Sequence, residues 1–378
     1  MKPLSIYIHI PFCKKKCHYC DFASYSGKSH FIKDYMIALK KEVMLYKEEI
    51  EDYKINTIFI GGGTPSVLEV GQVEELMDHL HRNYRLSKTI EISIEANPGL
   101  LSFEKLKEYY SSGINRLSIG LQACQNHLLT SLGRIHQYED FVRNLQDARS
   151  VGFYNINVDL MFGLPKQRLE DWYTSLKNVV DLRIPHISAY SLIIEEDTPF
   201  YQWTEEGKIQ KPKEDIEINM YHKGIQYLKE KGYIHYEISN FAKPNHQCRH
   251  NITYWKNQQY LGLGAAAHSY LNQQRFNNHP KIEDYMEAIM EGKKPIGEKN
   301  DLSLKDEISE TMFLGLRMME GISTKEFQKR FNQSPFDIYG EIFKKLKEKQ
   351  LIEYDSNNIK LTSKGIDLAN IVFQEMLL

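Results

Sequence analysis

Three of the chain's five cysteines fall within eight positions, Cys13-Lys-Lys-Lys-Cys17-His-Tyr-Cys20, and no other feature narrows the fold as far. Thiolates spaced by three residues and then two suit soft metal centres, an iron–sulfur cluster or zinc. Three protein ligands leave the fourth iron of a cubane without a donor, and an open coordination position is where chemistry can occur. Ser5 to Ile10, just upstream, reads as a strand ended by Pro11. The ligand loop therefore hangs from the end of that strand. Lys14, Lys15 and Lys16 inside the loop could offset an anionic cluster, although a solvated loop tip is the plainer reading. The competing centre is a zinc knuckle that recruits His18.

The 378 residues exceed one ordinary domain and suffice for a large core. A hydrophobic fraction of 42% with 26% charged residues is that of a soluble globular protein. A formal net charge of −2 argues against a general attraction to nucleic acid or to an anionic membrane. No run reaches the roughly 18 apolar residues that cross a bilayer, and Met1-Lys-Pro-Leu leads into a strand pattern without a signal-peptide apolar region. Five cysteines, clustered and odd in number, make no disulfide framework, so a reducing cytosol is expected, with peripheral membrane association left open.

The first two-thirds alternates strand-like and helix-like runs, the pattern of βα units around a parallel sheet. Strands are expected at Ser5–Ile10, Thr57–Ile60, Ile90–Glu95, Arg116–Gly120, Asn155–Leu160 and His186–Tyr190, and the first helix at Phe31–Glu51. Six units make a partial barrel, in which ligands sit at the C-terminal ends of the strands. Tyr7, Tyr19, the Gly61-Gly62-Gly63 run, Glu95, Gln122 and Asp159 fall at or near such ends, and Arg134 offers a planar fork for a carboxylate. Singly, each has a plainer reading: a glycine run is as often a tight turn, and a strand-end acid is often solvated.

Taken together, the segments Tyr7-Ile-His-Ile-Pro-Phe-Cys13, Gly61-Gly-Gly-Thr64-Pro-Ser, Ile94-Glu-Ala-Asn-Pro-Gly, Gly120-Leu-Gln, Leu132-Gly-Arg134-Ile-His and Asp159-Leu-Met-Phe-Gly-Leu-Pro resemble motifs of the radical S-adenosylmethionine (SAM) superfamily. Within it they resemble the subgroup holding oxygen-independent coproporphyrinogen III oxidase and the HemW-type heme chaperones. The resemblance covers nearly the whole chain. It implies an α/β fold with a partial (βα)6 barrel over residues 1–235. It also implies a [4Fe–4S] cluster on Cys13, Cys17 and Cys20, with SAM on the open iron and an electron donor to reduce the cluster. Tyr7, Gly62 and Glu95 would contact SAM. Tyr19, Gly63, Thr64, Gln122, Arg134 and Asp159 match positions lining a second SAM pocket in the oxidase, with Ile193 an apolar addition. One SAM or two is left open.

Two absences separate the chain from the oxidase. Cys20 is followed by Asp21-Phe22 rather than by a further cysteine two positions on, and the oxidase's N-terminal extension is not expected ahead of the first strand. The segment Cys248-Arg-His250-Asn-Ile-Thr-Tyr254-Trp255 resembles the heme motif of the chaperones, which implies heme contacts from His250, Tyr254 and Trp255. Chemically, imidazole is a standard axial ligand for heme iron and the two aromatics offer broad faces to a porphyrin. A core histidine with packed aromatics fits the same residues. On an extended strand Cys248 and His250 would share a face, and no Cys-X-X-Cys-His attachment sequence is present. This motif occupies a segment and linker over 236–298, the linker running from Gly297 to Asp301. His268 is a further candidate that more readily reads as a core or rim histidine.

Residues 299–378 read as a smaller, helical, winged-helix-like domain. Helices are expected at Ser303–Arg317, Ser323–Phe331 and Pro335–Lys349, then a hairpin around Asp355-Ser-Asn-Asn358 and a last helix to Met376. Its basic residues are interspersed with acids, so nucleic acid is not an expected partner. The function expected is a heme chaperone that hands heme to an acceptor protein. Oxidative decarboxylation of coproporphyrinogen III is the alternative, and whether the chain is an enzyme stays undecided. A membrane location for the acceptor and a homodimer are both left open.

Overall fold

Six parallel strands arise from a period-2 pattern whose two faces differ in chemistry. In this computed structural model, which describes residues 1–378, they are β1 (Lys2–Ile10), β2 (Tyr53–Gly62), β3 (Leu86–Ala96), β4 (Arg116–Gln122), β5 (Ile156–Phe162) and β6 (His186–Ser191). They pair consecutively and in parallel, with helices in every crossover, as parallel strands require. One face is aliphatic. Ile6, Ile8 and Ile10 of β1, Ile58 and Ile60 of β2, and Ile92 and Ile94 of β3 are buried in the main core with Leu39, Leu76 and Leu106 of the covering helices.

The alternate positions are polar, and register lines them up in rows across the sheet. Ser5 pairs with Thr57 and Thr57 with Glu91. Glu95 pairs with Ser118, Ser118 with Asn157, and Asn157 with His186. A parallel sheet buried on both faces reads as continuous apolar runs. This one does not, because its inner face is a polar lumen instead of a second hydrophobic core. The rows satisfy one another, as buried polar groups must. Thr57 Oγ1 donates to Ser5 Oγ at 2.7 Å, and Asn157 Nδ2 donates to Ser118 Oγ at 2.8 Å.

Further strands extend both edges of this half-barrel. β7 (Ile234–Glu237) and β8 (Asn240–Ala242) are antiparallel additions beside β6. β9 (Tyr260–Leu263) runs parallel to β1 and is followed outward by antiparallel β10 (His268–Leu271), β11 (Gln274–Asn278) and β12 (Ile296–Asp301). The sheet order is β12-β11-β10-β9-β1-β2-β3-β4-β5-β6-β8-β7. The Gly297–Asp301 stretch, expected as a linker from its polarity, is therefore an edge strand. Its five residues are exposed, and charged, solvated side chains are what protects a sheet edge.

The segment around His250 is not the strand on which Cys248 and His250 would have shared a face: Arg249–Trp255 is a helix with Cys248 as its N-cap. Glu91 of β3 explains the difference. Its carboxylate accepts the first helical N–H groups, from Arg249 at 3.1 Å and His250 at 3.0 Å, placing negative charge at the positive end of the helix. Cys248 and His250 therefore do not sit on one face of a strand. His250 and Tyr254 instead share a helix face, four residues apart.

The C-terminal domain is winged-helix-like, as expected. Helices Leu304–Gly315, Thr324–Phe331 and Pro335–Glu348 precede the hairpin of β14 (Ile352–Tyr354) and β15 (Asn358–Leu361), with β13 (Ile322–Ser323) on the hairpin's other side. Ser303, Ser323 and Ser334 cap the three helices, each accepting from a first-turn N–H. Met312, Phe343 and Ile359 belong to this domain's separate core. No helix of the chain is long and apolar enough to cross a membrane.

Candidate functional site

Two cavities open at the C-terminal ends of the parallel strands. The smaller, about 130 Å³, is lined by Cys13, Cys17 and Cys20 together with Tyr19, Gly62, Gly63, Thr64, Glu95, Gln122, Arg134 and Asp159. The larger, about 660 Å³, is lined by Tyr7, His9, Tyr254, Trp255, His268 and Arg275 among others. Phe22, Gly62 and Glu95 belong to both walls.

The cysteine loop is fastened where β1 and β2 end. Gly63 N–H donates to Ile10 O and Thr64 N–H to Phe12 O, both at 2.9 Å. Gly63 has no room for a side chain, since a Cβ there would lie 2.8 Å from Phe12 O and 3.0 Å from Cys13 Sγ. Gly62 has φ +112°, and a Cβ would meet the His9 ring at 2.7 Å. All five cysteines are free thiols. Cys13 Sγ lies 3.4 Å from Thr64 Oγ1, and Arg134 Nη1 donates to Cys17 Sγ at 3.5 Å. Nη2 of the same arginine donates to Asn97 Oδ1 and Gly120 O, both at 2.5 Å, while its buried Nε has no partner. Gln122 reaches the wall through a bulge between Gly120 and itself, at φ +70°, a device that re-aims side chains next to sites.

No three His, Cys, Asp or Glu side chains converge to hold a single metal ion. A cluster takes one thiolate at each of several irons, so its ligands stand apart. His18, the fourth ligand that a zinc knuckle would recruit, turns elsewhere. Its Nδ1 lies 3.1 Å from Ser131 O, and its ring packs edge-on to Trp203 at 4.8 Å. Three free thiols, a guanidinium beside one of them and an unpartnered buried donor make a lining that fits an iron–sulfur centre with an anionic co-ligand.

Two acids face this lumen. Burial, followed by the charge of Asp159, pushes Glu95 up to about 8, and the N–H of Gly62, donating to Glu95 Oε2 at 3.2 Å, pulls the other way. Burial also raises Asp159, against the hydrogen bond it accepts from Asn157 and the pull of Arg116 and Arg134.

Eleven of the fifteen site residues expected from the sequence line the smaller cavity, and Tyr7, Tyr254 and Trp255 line the larger. Ile193 lines neither and is 66% exposed. His250 sits beneath the larger cavity instead of in its wall, and is 1% exposed. Both ring nitrogens are engaged, Nδ1 with Thr57 Oγ1 and Nε2 with Tyr254 Oη, each at 2.8 Å. One assignment of hydrogens satisfies the whole run: Tyr254 donates to Nε2, and Nδ1–H starts a chain through Thr57, Ser5 and Thr253 to Arg249 O. Burial, helped by the Arg116 charge, pushes His250 down to about 3, so the ring is neutral.

His9, Phe22, Arg275, Glu310, Phe313 and Leu314 also line the larger cavity without having been singled out in the sequence. His9 was legible there, because two residues after Tyr7 on a strand is the same face. Its Nε2–H donates to Ala23 O and its Nδ1 accepts from Tyr7 O–H, both at 2.8 Å, which ties the lumen to the cysteine loop. Arg275 and Glu310 are 35 positions apart, on a strand and a helix, and no local pattern announces them.

A half-barrel of parallel strands bearing a cysteine triplet at its mouth defines the radical SAM class, and the Radical SAM superfamily signature matches residues 7–179. The HemN C-terminal domain signature matches residues 302–368. The heme chaperone HemW of Bacillus subtilis is 40% identical over 370 residues, covering 98% of each chain. That of Lactococcus lactis is 39% identical, covering all of this chain and 98% of the other. The chain belongs to the HemW family. Coproporphyrinogen III oxidase (HemN) from Escherichia coli shares the fold, with a TM-score of 0.86 over 99% of this chain and 90% of that one, at 24% identity.

Proposed function

We propose that the chain binds heme in the larger cavity and passes it to an acceptor protein, with a [4Fe–4S] cluster held by the thiols of the smaller cavity and SAM reaching from it across the shared wall of Gly62 and Glu95. One observation carries this reading: an aromatic cavity containing both Tyr254 and Trp255 shares Phe22, Gly62 and Glu95 with the thiol-lined one. Its volume of about 660 Å³ lies within the roughly 300–1,000 Å³ of ligand pockets. The full-length relatives named as heme chaperones support it as well.

Within this reading Cys13, Cys17 and Cys20 hold the cluster. Gly62, Gly63, Thr64, Glu95, Gln122, Asp159 and Tyr19 would surround SAM from the smaller cavity's side, Tyr7 would meet it from the larger wall, and Arg134 would offer its guanidinium to the carboxylate. When bound, this pair supplies a one-electron redox centre, which needs an electron donor. Tyr254 and Trp255 give the porphyrin its aromatic faces, and His250 holds the Tyr254 hydroxyl in place. The imidazole for iron falls to His268, which is exposed in the cavity wall, because His9 and His250 have both nitrogens engaged. Five cysteines, clustered and odd in number, make no disulfide framework, which fits a reducing compartment, and we place the chain in the cytosol.

Heme titration of cluster-loaded wild type, His268→Ala and His250→Ala under anaerobic conditions tests this assignment. The axial-imidazole absorption band is expected to vanish in His268→Ala and to persist, with weaker binding, in His250→Ala. The reverse pattern rejects the assignment, and no heme binding by wild type rejects the function.

A further inference from the structure

The larger cavity has a single cationic side chain in its wall, Arg275; no other lysine or arginine lines it. The guanidinium already holds a carboxylate in the two-pronged geometry that arginine offers such groups. Nε and Nη2 donate to the two oxygens of Glu310, each at 2.8 Å. Nη2 also donates to Asn257 Oδ1 at 2.8 Å, and the plane lies over the Tyr270 ring at 4.6 Å. Arg275 comes from β11 of the main sheet. Glu310 comes from Leu304–Gly315, the first helix of the C-terminal domain, which also contributes Phe313 and Leu314 to the wall.

The occupant proposed above is a flat apolar ring with two carboxylates, and the cavity offers it aromatic walls with one fork that already grips a carboxylate. We propose that a propionate of the bound porphyrin replaces Glu310 on Arg275, so that ligand entry breaks a tie between the sheet and the C-terminal domain. The inference rests on the heme reading of the cavity. One carboxylate exchanges for another on the same guanidinium, so the displaced Glu310 is left to solvent and the helix carrying it is loosened. Arg275 thus positions the ligand and reports its presence to the neighbouring domain, where Arg330 still holds Glu307 at 2.8 Å.

The test compares heme with its dimethyl ester, which has the same ring and no free carboxylate. Glu310→Gln removes the internal competitor. It is expected to tighten heme binding several-fold and to leave ester binding unchanged, while Arg275→Gln weakens heme binding only. Since Arg275→Gln also loses packing on Tyr270, Glu310→Gln decides the matter. Heme affinity that is unchanged or weaker in Glu310→Gln overturns the proposal, as does an equal response of heme and ester. If wild type binds neither ligand, the heme reading itself fails. If it binds both and Glu310→Gln changes nothing, only this exchange fails.

Discussion

The two cavities share a wall yet are built in opposite ways. Every residue lining the smaller one lies between Cys13 and Asp159, at the ends of consecutive strands, and only six of its nineteen are hydrophobic. The larger one draws on residues from Tyr7 to Leu314, with nine hydrophobic among fifteen, and needs β1, the Arg249–Trp255 helix, β9 to β11 and the C-terminal domain together. A charged, metal-bearing centre wants fixed donors on rigid strand ends. A broad apolar ligand that must also leave wants a cavity closed by a separate body. On the proposed assignment, redox chemistry belongs to the rigid scaffold and cargo to a seam.

That contrast can be broken most sharply by removing one cavity at a time. Cys13→Ser is expected to abolish the iron–sulfur absorbance and iron content while heme affinity stays within about twofold, under 1 kcal/mol. Equal loss of both would merge the two cavities into one functional unit. The next largest effect concerns Glu42, whose Oε2 accepts from Gly264 N–H and Tyr285 Oη, each at 2.7 Å, beneath the β9–β10 turn that carries Ala266 into the larger wall. Burial pushes its carboxyl up to about 7, against the hydrogen bonds of Tyr285, Gly264 and Asn278. The folded state therefore holds a proton that the unfolded chain gives up. Stability from the neutral form is full below the ordinary carboxylate value and is lost as pH rises through about 7. Relative to Glu42→Gln, wild type is expected to lose at most roughly 3 kcal/mol between pH 5 and pH 8, read as the change in their thermal-midpoint difference. A constant difference would show that Glu42 does not titrate there.

Tyr254→Ala removes an aromatic face and the hydroxyl on His250. Heme affinity is expected to fall at least about tenfold, ~1.4 kcal/mol, with the cluster content unchanged. The smallest effect is expected from Lys28→Ala. Its ion pair with Glu283, at 2.6 Å, lies on the surface near the cysteine loop, and such pairs contribute about 0–1 kcal/mol. A thermal shift larger than that would show the loop to depend on its rim as well as on the lumen.

The smaller cavity was nearly all legible in the sequence for the same reason that it is rigid. Cys13, Gly63, Thr64, Glu95, Gln122 and Asp159 each sit in a short segment ending a strand, so local spacing announces them. Outside the shared Gly62 and Glu95, the larger one was legible only at Tyr7, Tyr254, Trp255 and the candidate His268. Arg275, Glu310 and Phe313 meet only after two domains pack, and no periodicity encodes that. The sequence also misled at one edge and was silent at another place. Polar Gly297–Asp301 reads as a linker because an edge strand is solvated on its open side. The stretch around His250 left its conformation open, because its helix is stabilised from a distance, by Glu91. His250 shows the limit of motif reading, since its chemistry suits a metal and its hydrogen bonds commit it to Tyr254.

The central claim, that the cargo cavity abuts the cluster cavity, is most directly tested by the emission of metal-free protoporphyrin bound to the chain. Porphyrin held against the shared wall of Phe22, Gly62 and Glu95 is expected to be strongly quenched in cluster-loaded wild type and bright in Cys13→Ser, at equal occupancy. Equal emission from the two proteins would contradict the account.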